Sequence, residues 1–111
     1  MSSSSIPGTY NVYGYITCGD RIFTVKDTIS LLFNLNNNQV NFEGGVLNIH
    51  SAHMDIEIKR KDSSKWSFNA AIAGEPDTIY SIVKNLAQHL SWRRISSTYE
   101  IYNDEFECIN E

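Results

Sequence analysis

Met54, Ile56 and Ile58 alternate with Asp55, Glu57 and Lys59, and this two-residue period constrains the chain more than any other feature. Successive side chains of an extended strand leave on opposite faces, so the pattern describes a ribbon with one apolar side and one wet side. The same period recurs along the chain. Tyr10, Val12, Gly14 and Ile16 alternate with Asn11, Tyr13, Tyr15 and Thr17. Val40 and Phe42 oppose Asn41 and Glu43, Val46 to His50 forms a short strand, and Trp66, Phe68, Ala70 and Ile72 share one face. Between these runs lie turn signals at Cys18-Gly19-Asp20, Asn36-Asn37-Asn38, Gly44-Gly45 and the polar stretch from Arg60 to Lys65. The pattern is that of an antiparallel meander.

Two readings compete over residues 27–36. Asp27 suits a helix N-cap. Against it, Ile29, Leu31, Phe33 and Leu35 share one strand parity, and Leu31, Leu32, Phe33 and Leu35 spread broadly round a helical wheel. The alternation is the cleaner fit, and two strands are expected between Phe23 and Leu35.

The period then changes. Gly74-Glu75-Pro76-Asp77 opens a helix, with proline in the first turn and carboxylates at the positive end of the dipole. Ile79, Ile82, Val83, Leu86 and Leu90 recur at helical spacing, and Arg93 and Arg94 suit the negative end. A helix over residues 76–92 is about 25 Å long and lays its apolar stripe on the sheet. From Thr98 the chain reads as strand again. The expected fold is therefore α+β: an antiparallel, strongly curved sheet or open barrel of about 6–8 strands. One long amphipathic helix packs on it, and a C-terminal strand closes it. Residues 1–8 read as a flexible leader and residues 9–111 as a single domain.

Nine basic residues against thirteen acidic ones, a formal net charge of −4, argue against phosphate neutralisation and thus against a nucleic-acid partner. No stretch reaches the apolar length of a membrane span, and the N-terminal serine run has neither part of a secretory signal. Cys18 and Cys108 are too few for a disulfide scaffold and read as reduced thiols.

The chemical motifs are sparse. His50 and His53 stand three apart in a strand–turn–strand context without a companion ligand set, so no metal site is expected. No glycine-rich phosphate loop and no nucleophile–base signature occurs, and neither cofactor nor enzymatic activity is expected. Asp55 and Glu57 share a strand face about 7 Å apart in a polar register, without a pocket to shift their ionisation. Lys59, Arg60, Lys61 and Lys65 beside Trp66 make a basic hairpin tip, which reads as a solvated loop with Trp66 turned inward.

The strongest asymmetry is C-terminal. Glu100, Asp104, Glu105, Glu107 and Glu111 are interleaved with Tyr99, Tyr102 and Phe106, and residues 95–111 contain no lysine or arginine. Carboxylates steer a basic partner and tyrosines anchor it. Tyr99, Glu100, Tyr102, Asp104, Glu105 and Glu107 are accordingly the candidate partner-binding residues. The same charges would also keep a terminal edge strand from pairing with another chain. Tyr13 and Tyr15, adjacent on the less apolar parity of the first strand, extend such a surface if they face outward.

A short, acidic, single α+β domain with no catalytic motif and an acidic–aromatic surface from Tyr99 to Glu107 resembles, in type, the small bacterial toxin-immunity proteins. These belong to contact-dependent growth inhibition and polymorphic-toxin systems. The resemblance implies a cytoplasmic, non-enzymatic inhibitor, expected as a monomer, that binds a cognate basic toxin domain, often a nuclease, and occludes its active site. A second resemblance covers the strand at Trp66 and the helix to Leu90, which are similar to the end of a pleckstrin-homology-like domain. It implies a recognition module for peptide or anionic lipid, with Lys59, Arg60 and Lys61 as its contacts. A third reading is a cupped sheet holding an apolar ligand among Phe23, Phe33, Phe42 and Phe68.

Overall fold

The computed structural model describes residues 8–103. Its order is β1 (Gly8–Thr17), α1 (Ile22–Leu32), β2 (Val40–Glu43), β3 (Val46–His50), β4 (Met54–Arg60), β5 (Lys65–Gly74), α2 (Pro76–Trp92) and β6 (Ser96–Tyr102). The α+β class and the antiparallel sheet are as the alternation required. Of the leader expected over residues 1–8, residues 1–7 lie outside the described residues, and Gly8 instead belongs to β1, paired with Gly74.

The six strands form one sheet in the order β2-β3-β4-β5-β1-β6, every neighbouring pair antiparallel. The sheet does not close into a barrel: among the described residues β2 and β6 are its two edges. Strands β2 to β5 are the meander, joined by tight turns. Gly44 (φ 62°) and Gly45 (φ 78°) supply the two left-handed residues that a two-residue hairpin demands between Glu43 and Val46. At the β4–β5 tip the Asp62 carboxylate accepts the backbone N–H of Ser64 (2.9 Å) and of Lys65 (2.7 Å). Those two bonds hold its pKa below the ordinary value. After α2 the chain returns to pair with β1, which is therefore flanked by β5 and β6.

The region expected as two strands between Phe23 and Leu35 is a helix. Ile22, Val25 and Ile29 recur at helical spacing and are buried with Thr28, whereas Leu31 is 77% exposed. Ile29 and Leu31 share a strand parity, so only a helix separates them in this way. Tertiary packing decides the matter, because the apolar face of the sheet is wide enough for two helices. The second helix spans the expected residues, with Pro76 in its first turn and Ile79, Val83, Leu86 and Leu90 buried.

Both helices end alike. The Leu35 N–H bonds to the Ser30 carbonyl and the Ile95 N–H to the Leu90 carbonyl, each at 2.9 Å, past a left-handed residue: Asn34 (φ 53°) and Arg94 (φ 61°). Arg21, just before α1, donates to the carbonyls of Arg93 (3.0 Å) and Arg94 (2.8 Å) and ties the start of one helix to the end of the other.

Val12, Ile16, Leu47, Ile49, Ile56, Ile58, Trp66, Phe68 and Ile72 form a single core with the buried residues of α1 and α2. All of them lie on one side of the sheet. The fold is two layers, with both helices on one face.

Candidate protein-binding face

Among the described residues the opposite face carries no helix, and the strand register lays its side chains out in rows. One row crosses all six strands: Asn41, Asn48, Glu57, Asn69, Tyr13 and Glu100, each directly opposite the next. A second runs His50, Asp55, Ala71, Asn11 and Tyr102. A third runs Glu43, Val46, Lys59, Ser67, Tyr15 and Thr98. These rows hold four carboxylates, Glu43, Asp55, Glu57 and Glu100, against one lysine, Lys59. Such a face presents a negative field to whatever approaches it.

Its aromatic part lies over β1 and β6. Tyr13 and Tyr15 are 39% and 45% exposed, so both do face outward. The Tyr13 and Tyr102 rings meet edge to face with centroids 5.7 Å apart, and the Tyr102 hydroxyl donates to Glu100 Oε1 at 3.0 Å. The Glu100 carboxylate is thus bonded to one tyrosine of a packed pair. On the other half His50 Nδ1 and Asp55 Oδ1 are 2.7 Å apart, and Lys59 Nζ reaches Glu57 Oε1 at 3.6 Å. Lys65 Nζ stands 5.1 Å from the centre of the Tyr15 ring.

Of the residues singled out from the sequence, Glu100 and Tyr102 share this face with Tyr13 and Tyr15. Tyr99 is on the other side. It opposes Gly14 and meets Phe68 edge to face at 5.1 Å on the core side. Burial pushes its phenol up to about 12. Asp104, Glu105, Glu107 and Glu111 lie outside the described residues, as does Cys108. Cys18 is buried, and burial raises its thiol pKa. Sequence reasoning did not single out Asn11, Asn48 and Asn69, and it read Asp55 and Glu57 as ordinary polar surface. The signal was the polar parity of each strand, but only the register shows that these positions form one surface.

The basic hairpin tip is a structural joint. Arg60 donates to Asp20 (3.0 Å), to the Ser63 carbonyl (2.8 Å) and to the Asp62 carbonyl (3.0 Å). Its guanidinium carbon stands 5.2 Å from the Trp66 ring centre. Trp66 itself is buried, with its Nε1–H bonded to the Gly19 carbonyl at 2.8 Å. It offers no exposed platform.

The four phenylalanines of the cupped-sheet reading do not gather round one cavity. Phe23 packs on Phe42 at 5.2 Å and Phe68 on Tyr99. Phe33 lines a separate cleft of about 380 Å³ with Leu35, His53, Met54, Ile72 and Ile82. Among the described residues no group of three or more His, Cys, Asp or Glu side chains is placed to hold a metal ion. No helix among them is long and apolar enough to cross a membrane. No protein-family model, no curated protein and no solved structure matches the chain.

Proposed function

We propose that the protein is a non-enzymatic inhibitor that binds a basic protein partner, a toxin domain with a cationic substrate groove, through the open face of its sheet. The observation that carries this reading is the face left uncovered among the described residues, with four carboxylates to two lysines, Lys59 and Lys65, and Glu100 bonded to Tyr102 beside the Tyr13 ring. A toxin that acts on nucleic acid needs a cationic groove. A rigid acidic sheet steers toward such a groove, and its tyrosines bury at low entropic loss. The face is large enough: six strands about 4.8 Å apart and roughly seven residues long span an area comparable to one side of a standard interface, about 800 Å². An inhibitor of this kind acts in the cytoplasm of the cell it protects, as a monomer and without a cofactor.

The test is capture of the partner by tagged protein from its native cells at low and high salt, with the captured activity then titrated. The expected result is one basic protein, retained less at high salt and silenced at one equivalent. The Glu57→Lys/Glu100→Lys variant should bind it at least tenfold more weakly, a loss of about 1.4 kcal/mol. Lys59→Glu/Lys61→Glu should bind it no worse. The reverse pattern, with binding lost only when the lysines are reversed, would replace this reading by the peptide- or lipid-recognition module.

A further inference from the structure

The open face is not uniform and has a depression near its centre. In the second row Ala71 places a methyl group between two larger cross-strand neighbours, Asp55 and Asn11. The result is a shallow recess of about 320 Å³, walled by Asn48, Asp55, Glu57, Asn69, Asn11 and Tyr13. We infer that this recess receives a single arginine side chain of the basic partner; the inference rests on the docking reading above and gives it a chemical address.

The lining selects the ligand. Two carboxylates, Asp55 and Glu57, provide negative charge, and each keeps an oxygen beyond the one engaged by His50 or Lys59. The carboxamides of Asn11, Asn48 and Asn69 are half-buried and have no side-chain hydrogen bond among the described residues, so their oxygens are available as acceptors. Tyr13 forms an aromatic wall whose angle is fixed by Tyr102 behind it. A guanidinium is the group that uses all three. It is a planar donor of five N–H bonds with no acceptor, it pairs with carboxylates in a fork, and it stacks on aromatic rings. An ammonium is a compact, strongly hydrated point charge that gains little from the ring or from acceptors spread round a rim. An anion is repelled by the two carboxylates.

The probe is N-acetyl-arginine amide, titrated into isotope-labelled full-length protein and followed by the backbone and carboxamide N–H signals. The lysine and citrulline analogues serve as controls. Saturable shifts should centre on Asn48, Asn69, Ala71 and Tyr13, with both analogues at least about fivefold weaker. Glu57→Gln and Asp55→Asn should each weaken arginine severalfold. Ala71→Leu fills the recess, leaves every charge in place and sits on the solvent side of the sheet; it should abolish the arginine shifts. Equal shifts for lysine and arginine, or shifts unchanged in Ala71→Leu, would overturn the recess and leave only a diffuse field. Absence of shifts in the native protein would overturn it too. Neither result touches the docking reading, which stands or falls on partner capture by Glu57→Lys/Glu100→Lys.

Discussion

Gly14 and Tyr99 face each other across β1 and β6, and each explains the other. A Cβ at Gly14 would sit 1.9 Å from the Thr98 carbonyl oxygen, a backbone atom that cannot turn aside. The strand pair approaches closely there because one residue has no side chain, and Tyr99 covers the gap with its ring on Phe68. Gly14→Ala should therefore lower stability by about 2 kcal/mol or more, read as a shift in urea midpoint without a change in slope. Tyr99 gives a pH signature. Its folded pKa of about 12 lies above the ordinary 10, so the folded state holds the proton longer than the unfolded chain does. The stabilisation is complete below pH 10 and is lost as pH rises through 12, by about 2–3 kcal/mol over that interval. Urea titrations at pH 9 and pH 12 should show that loss in the native protein and a smaller one in Tyr99→Phe.

At the scale of elements, α1 is where alternation misleads. Ile29, Leu31, Phe33 and Leu35 look like one face of a strand because Phe33 and Leu35 follow the helix and pack by a different route. The competing helical set, Ile22, Val25 and Ile29, was present in the sequence; what was missing was a reason to prefer it. The reason is the sheet's apolar width, which α2 alone does not cover. Truncating Ile29 to alanine should destabilise by about 2–4 kcal/mol, and truncating Leu31 should change stability by no more than about 0.5 kcal/mol. A strand would make the two equivalent, so thermal unfolding of the pair distinguishes the elements directly. The hairpins and α2 were legible because their signals are local: Gly44-Gly45 needs no partner to demand a turn, and Pro76 with its downstream stripe needs none to begin a helix.

At the scale of the whole molecule, the two layers divide the work. Every large core side chain points at the helices, and the acidic rows point away from them. The face proposed for binding is thus one the fold does not need. Glu57→Lys/Glu100→Lys should unfold within about 4 °C of the native protein even as it releases the partner, measured by calorimetry on the same samples used for capture. The sequence made the candidate site only half legible for the same reason. The candidate set joined Tyr99 to Glu100 and Tyr102, although alternate residues of a strand leave on opposite faces, and only Glu100 and Tyr102 share the open face. That Glu57 shares a row with Tyr13 and Glu100 depends on long-range register between β4, β5, β1 and β6, which no local spacing encodes.

The position of β1 has a further consequence, for how the chain reaches this shape. The meander from β2 to β5 can zip up in the order in which it leaves the ribosome, each strand meeting the one just made. β1 is synthesised before all of them, yet its two partners are the last of the meander and the strand beyond α2. Its apolar side must wait, exposed, until nearly the whole domain has been translated, and the ends of a long loop must then find each other. Completion of the sheet is therefore a late event in synthesis, one that closes a long loop between β1 and its partners.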